Sequence, residues 1–307
     1  MRPGQVPRTG GSALNKHAIV RGSAEASYPD AMAARGVLPA VAAADTVGQV
    51  HLQTVRPLAF VDDVAALIAR HGMLGCLPEG DRQELLRWST IRTLGERKCI
   101  FRRGDPGHTV IVVLAGYVKL SSLAADGRDV VLEIVCPGGC FGELAVLNNA
   151  PRAADATTIS RCRLLAIDGR QFLQVMGRSI EGMRAVMTLI SRRLRAATQR
   201  IMDIVALPAT ARVAKALLEL AELHCETTRN GARIALRISQ AELGGMTDLT
   251  RESVNKQLAA LRDAGLISQS GGSVTLFDIA ALDAVSGAHG DDDAPGSSFC
   301  RPNSLRL

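Results

Sequence analysis

The stretch CIFRRGDPGHTVIVVLAGYVKLSSLAADGRDVVLEIVCPGG, Cys99 to Gly139, decides the fold. It is a series of short runs rich in β-branched residues, CIF, TVIVVLA, YVKLSSL and VVLEIV, each cut off by turn chemistry. Asp105-Pro106-Gly107 and Asp126-Gly127 place Asp and Gly where the chain must take turn angles, and Asp-Gly between such runs is a strong hairpin signal. With ATTI and CRLLAI following before Asp168, closely spaced strands with turns at these intervals predict a barrel or sandwich.

Upstream, FVDDVAALIARHGML and EGDRQELLRWS read as short amphipathic entry helices, with Val64, Leu67, Ile68, Leu85 and Leu86 on their apolar faces. Residues 1–58, rich in Gly, Pro, Ala and Ser, carry no sustained period and are expected to be a disordered extension. Downstream the period becomes helical. Met183, Met187, Ile190, Leu194, Ala197, Ile201 and Ile204 recur at spacings of 4, 3, 4, 3, 4, 3, a heptad seam. A helix laid on its own domain would account for the apolar face, but the seam and its polar flanks Arg192, Arg193, Arg195 and Arg200 favour a parallel coiled-coil contact between two subunits.

Pro208 ends that helix, and TARVAKALLELAELH begins a third region, followed by an expected loop, CETTRNGAR. In ISQAELGGMTDLTRESVNKQLAALRDAGLI, Ser239 opens a capping box with Glu242, and the helix it starts is expected to stop at Gly244-Gly245. The glycines are expected to let the first helix approach the second. Thr250 caps that second helix, whose apolar face is Val254, Leu258 and Leu261. Two short helices and a tight turn make a helix-turn-helix, and the strands expected on either side of Gly271-Gly272 would be its wing. Arg251, Glu252, Asn255 and Lys256 are off the apolar face, and Arg and Glu belong to the vocabulary of major-groove readout. With Ser239, Gln240 and Thr250 they form the candidate DNA-binding set.

The formal charge of +6 over 307 residues suits a polyanionic partner but is a modest excess. No leader and no apolar run of the ~20 residues a membrane helix needs is present, which predicts a cytoplasmic protein without membrane contact. Seven scattered cysteines argue against a disulfide framework, and CPGGC, Cys136 to Cys140, lacks the further Cys or His of a zinc or iron–sulfur site. No metal is expected. His71, His108 and His224 read as surface or capping residues rather than haem ligands. No nucleophile–base pair stands out, so an enzyme is not expected.

In FGELAVLNNAPRAADATT, Phe141 to Thr158, Glu143 and Arg152 flank a loop of small residues and either pair with each other or hold a ligand between them. Here the chain is similar to a known family. IFRRGDPGHTVIVVLAGYVKL, FGELAVLNNAPRA and TRESVNKQLAALRDAGLI, in this order, resemble the cyclic-AMP receptor protein/FNR (Crp/Fnr) superfamily of bacterial transcription regulators over residues 61–285. The resemblance implies an α+β fold: an N-terminal cyclic-nucleotide-binding-like β-roll (a double-stranded β-helix), a long dimerisation helix and a C-terminal winged helix-turn-helix. The expected boundaries are 1–58 extension, 59–180 β-roll, 181–207 dimerisation helix, 208–286 winged helix and 287–307 disordered tail.

It further implies a homodimer that binds a palindromic operator in double-stranded DNA, has RNA polymerase as a partner, and takes cyclic AMP or another cyclic nucleotide as allosteric ligand, with no covalent cofactor. Glu143 would accept from a ribose hydroxyl and Arg152 would pair with the cyclic phosphate, with the Gly142 and Leu144 backbone lining the approach. Two positions depart from the cyclic-AMP-responsive members. Ala153 stands where they carry a hydroxyl donor to the phosphate, and Ala197-Thr198 where they set a Thr-Ser pair against adenine, leaving Thr198 to serve the base. A regulatory module of a kinase or channel is the other reading of such a roll, and the helix-turn-helix argues against it.

Overall fold

The computed structural model describes Val64, Ile68 and residues 73–223, 225–228, 231–234, 236–270 and 272–287. The expected extension 1–58 and all of the expected tail beyond Gly287 lie outside the described residues. Val64 and Ile68 are helical and buried, and are followed by a 3-10 turn, Met73–Cys76, and by α1, Glu79–Arg87.

The turn-rich stretch folds into two four-stranded antiparallel sheets. One has the order β1 (Ser89–Leu94), β8 (Cys162–Asp168), β3 (Thr109–Ala115), β6 (Cys140–Phe141). The other has the order β2 (Cys99–Phe101), β7 (Asp155–Thr158), β4 (Val118–Leu123), β5 (Asp129–Val135). Strand β3 shows why its run TVIVVLA is apolar after Thr109. Alternate side chains point to opposite faces, so Ile111 and Val113 fill the roll interior with Val118, Val135, Phe141 and Leu164. Val110, Val112 and Leu114 pack outward under the helices with Phe172, Val175 and Met176. A strand covered on both faces cannot alternate with polar residues.

The short helix α2, Glu143–Leu147, lies between β6 and β7. Helix α3, Gly169–Arg178, is capped by the Asp168 carboxylate, which accepts from the backbone N–H groups of Arg170 and Gln171. Helix α4, Ile180–Ala206, runs 27 residues, or about 40 Å at 1.5 Å per residue. It stops at Leu207, extended before Pro208, whose ring disfavours a helical predecessor.

The C-terminal region comprises α5 (Ala209–Leu223), β9 (Cys225–Thr228), β10 (Gly231–Ile234), α6 (Gln240–Thr247), α7 (Arg251–Asp263), β11 (Ile267–Ser270), β12 (Ser273–Leu276) and α8 (Ile279–Ser286). Its core joins Val213, Leu217, Leu220, Val254, Leu258, Leu261 and Leu276. Two expectations are corrected here. The segment expected to be a loop after α5 instead forms the hairpin β9–β10, which pairs with the wing in a sheet of order β11-β12-β10-β9. Its polar residues hide it, although the dipeptide Asn230-Gly231 is a hairpin signal. The first helix of the helix-turn-helix does not stop at Gly244-Gly245 but runs through both to Thr247, with Asp248 in a left-handed conformation (φ 53°) as its cap.

The two glycines have separate reasons. A Cβ on Gly244 would overlap the Leu249 carbonyl oxygen in the turn, as close approach of the two helices requires. A Cβ on Gly245 would instead overlap the Asp129 carbonyl oxygen of β5, so α6 lies flush against the roll. Arg128 adds an ion pair to Asp248 at 2.9 Å across the same junction.

Candidate functional site: an anion clamp and a DNA-reading helix

The loop Phe141 to Arg152 is held open by its backbone. Gly142 has φ 82°, and a Cβ there would overlap the Arg152 guanidinium and lie 3.2 Å from the Thr109 carbonyl oxygen. Glycine avoids both the left-handed penalty of roughly 1–2 kcal/mol and that overlap. The return strand is pinned by Arg152 N–H donating to Asp105 O and Gly104 N–H donating to Arg152 O, each at 2.9 Å.

The two expected site residues are brought into one region, yet they do not pair with each other. Glu143 is 0% exposed and Arg152 5%. Arg152 Nη1 donates to Thr109 O (2.8 Å) and Gly142 O (2.9 Å), Nη2 donates to Thr109 Oγ1 (2.8 Å), and the guanidinium stacks 4.2 Å from the Phe101 ring centroid. Glu143 pairs with Arg193 of α4 through Oε1. Arg193 also reaches Glu133 Oε2 and Cys140 O, both at 2.8 Å.

Arg193 and Arg200, read from sequence as polar flanks of the seam, therefore face the roll. Arg200 donates to the carbonyl oxygens of Val131 (2.7 Å) and Leu132 (2.9 Å). Their spacing of seven residues puts them on one helix face and was the signal that could have found them.

Burial sets the electrostatics. It pushes the Glu143 carboxyl up from the usual carboxylate range, and Arg193 draws it back only in part. It works against the Arg193 cation too, but Glu133 and Glu143 outweigh it and push that pKa up. Burial lowers the pKa of Arg152, whose attraction to Glu143 and Asp105 offsets this incompletely. Glu143 Oε2 and Arg152 Nε make no hydrogen bond although both are buried. A buried polar atom without a partner is costly; one of these two can accept a hydrogen bond and the other can donate one. Cys136 and Cys140 are buried free thiols; burial and then Glu143 push the Cys140 thiol up, leaving it a small protonated residue at the start of β6.

The remaining expected ligand positions are peripheral. Leu144 and Ala153 are exposed, and Thr198, exposed on α4, donates its hydroxyl to Leu194 O at 2.9 Å.

In the helix-turn-helix, Ser239 and Glu242 complete the capping box, and Thr250 Oγ1 accepts from Ser253 N–H. Arg251, Glu252, Asn255 and Lys256 are exposed on α7 while Val254, Leu258 and Leu261 are buried beneath them. Gln240 donates to Asn255 Oδ1 at 3.1 Å, bringing the first helix to the second. Ser239, Thr250 and Arg251 line a cleft of about 640 Å³ whose other wall is the roll, with Arg97, Lys119 and Arg128. Among the described residues no helix is long and apolar enough to cross a membrane, and no group of His, Cys, Asp or Glu is set to hold a metal.

A β-roll with a buried carboxylate and guanidinium, joined by a long helix to a winged helix-turn-helix, is the architecture of a DNA-binding regulator. Known proteins agree with this class. The cyclic nucleotide-binding domain family matches residues 91–179 and the Crp-like helix-turn-helix domain family matches 211–285. A CRP-like cAMP-activated global transcriptional regulator of Mycobacterium tuberculosis is 31% identical over 179 residues, 58% of this chain and 80% of the relative. The cyclic AMP receptor protein of Thermus thermophilus is 29% identical over 63% of this chain and 87% of its own length. A solved structure of a CRP-family transcriptional regulator from Thermus thermophilus superposes with TM-score 0.56 at 28% identity, covering 64% of this chain and 96% of that one. The c-di-GMP responsive global regulator CLP of Xanthomonas campestris gives TM-score 0.58 at 26% identity over 66% of this chain and all of the other. The chain belongs to the CRP/FNR family of transcription regulators, with a cyclic nucleotide-binding domain and a DNA-binding helix-turn-helix.

Proposed function

We propose that this chain is a homodimeric, sequence-specific transcription regulator whose affinity for a palindromic operator is set by a small anionic effector in the β-roll, a cyclic nucleotide first among them. Residues 59–180 sense, 181–207 pair the subunits and 208–286 read DNA, in the cytoplasm and beside RNA polymerase. The observation that carries the effector is the pair of buried atoms without partners, Glu143 Oε2 and Arg152 Nε. A buried acceptor and a buried cationic donor without partners are each costly, and these two belong to residues close enough to attract one another. A ligand presenting a hydroxyl and a phosphate satisfies both. The α4 cation Arg193 is bound to the same carboxylate, so ligand binding at Glu143 acts directly on the helix that sets the spacing of the recognition helices.

Calorimetric titration with cyclic AMP, cyclic GMP and c-di-GMP tests this. The third is included because the regulator from Xanthomonas is described as responsive to it. One of the three will bind, and Arg152→Ala will cost about 2–5 kcal/mol of that binding by leaving the anion without its cation. An absence of heat with all three would sink the effector assignment. For the DNA face, Arg251→Ala will cost about 1–3 kcal/mol and relax base preference, read by selection from random duplexes. An unchanged preference would remove Arg251 from base readout.

A further inference from the structure

Arg152 offers five N–H donors in a planar fork, and three are used: both on Nη1, to Thr109 O and Gly142 O, and one on Nη2, to Thr109 Oγ1. The two that remain are the Nε–H, which makes no hydrogen bond, and the second Nη2–H. These lie parallel on one side of the guanidinium, the edge that grips two oxygens of a phosphate or carboxylate at once. The other edge is closed by a single residue, since Thr109 supplies both its main-chain oxygen to Nη1 and its hydroxyl oxygen to Nη2, each at 2.8 Å. Phe101 fixes the plane of the group from one face, and Gly142, lacking a Cβ, makes room for Nη1. The direction in which the free edge points therefore rests on Thr109. Ala153, next in the chain to Arg152, has no hydroxyl to share in holding an anion.

We propose that Thr109, at the start of β3, is the positioning residue of the effector site: its hydroxyl and carbonyl oxygens together turn Arg152 so that the Nε/Nη2 edge meets two oxygens of the bound anion. The inference rests on the effector reading above and adds the residue that gives the anion clamp its orientation. The two main-chain acceptors, Thr109 O and Gly142 O, both hold Nη1, so the Thr109 hydroxyl is the contact that holds Nη2, the nitrogen that belongs to the free edge. With the hydroxyl in place, a tetrahedral anion must present a defined pair of oxygens.

The test uses the full-length protein with cyclic AMP and its two phosphorothioate diastereomers, Sp and Rp, in which sulfur replaces one or the other exocyclic oxygen. The parent chain will discriminate between the diastereomers. Thr109→Val, which keeps shape and carbonyl but removes the hydroxyl, will bind cyclic AMP about tenfold more weakly, as loss of one charge-assisted hydrogen bond implies. Its ratio of Sp to Rp affinity will fall towards one, whereas Thr109→Ser will keep both affinity and ratio. A merely structural role would weaken both diastereomers equally and leave the ratio intact, and that result would overturn the proposal, as would a Thr109→Val variant indistinguishable from the parent. A parent chain that binds cyclic AMP but does not discriminate overturns the oriented clamp while leaving the effector reading standing. A parent chain that binds none of these three overturns the Thr109 proposal, and the effector reading falls with it only if cyclic GMP and c-di-GMP also fail to bind.

Discussion

Arg193→Met will lower the unfolding free energy by about 3–5 kcal/mol, the range for removing one partner of a buried ion pair, and the loss will depend on pH. Arg193 is held by three groups of the roll, Glu133, Glu143 and the Cys140 carbonyl oxygen, and Glu143 is 0% exposed. Without the cation, a fully buried carboxylate has no counter-charge. Its pKa, already raised by burial in the parent chain, must then rise further. The sign follows from linkage. Where an acid is weaker in the folded chain than in the unfolded one, the unfolded chain releases its proton first as pH rises. Stability is therefore lost between the ordinary glutamate pKa and the raised one. In the variant that window extends upward, so its deficit against the parent will be larger at pH 8 than at pH 5. Urea unfolding of both chains at the two pH values measures it. A deficit under about 1 kcal/mol, or one equal at both pH values, would mean that the cluster does not confine a buried charge.

If α4 pairs the subunits as proposed, replacing Leu194 and Ile201 together by Glu will yield a monomer and weaken binding to a palindromic duplex by about 10²- to 10⁴-fold, the span of effective concentration lost when two tethered sites become independent. The two side chains are 67% and 62% exposed on α4, with Met183 and Met187 continuing the same apolar stripe. Burying each such side chain against a partner helix contributes about 1.5–3 kcal/mol. Four carboxylates along a two-fold seam reverse that and add repulsion. Half-site duplex affinity will be unchanged, because α7 and its core of Val254, Leu258 and Leu261 are remote from the substitutions in the chain. Sedimentation equilibrium gives the mass, and mobility shift on full and half sites gives the affinities. A variant with the parent's mass and full-site affinity would place the subunit contact elsewhere.

One seam residue has a second use. Ile190, on the heptad with Leu194 and Ile201, is half-buried against the roll core alongside Leu189 and Val186. The helix thus divides its circumference, one face on its own domain and one exposed, which a heptad count alone does not separate.

What the sequence by itself determined was whatever depends on local chemistry. Asp126-Gly127 marks the turn between β4 and β5, Ser239 with Glu242 and Thr250 begin their helices, Pro208 follows the end of α4, and the wing strands flank Gly271-Gly272. Each acts over a few residues, where φ preference and capping bonds dominate. Glu143 and Arg152 could be singled out for a similar reason, since two opposite charges around a small-residue loop stand out in an apolar strand region, and both are buried in the fold.

Tertiary structure alone decided what those charges touch. Glu143 meets Arg193, fifty residues on, and Arg152 meets Thr109, forty-three residues back. Neither pairing leaves a periodic trace, because a long flexible cation takes whichever acceptor the fold brings within about 3 Å, and that is fixed by how sheets and helix pack. The hairpin β9–β10 and the continuation of α6 through Gly244-Gly245 were set the same way. Local propensity for loop or stop was overridden by a sheet edge that needed pairing and by a β5 strand close enough to require the missing Cβ.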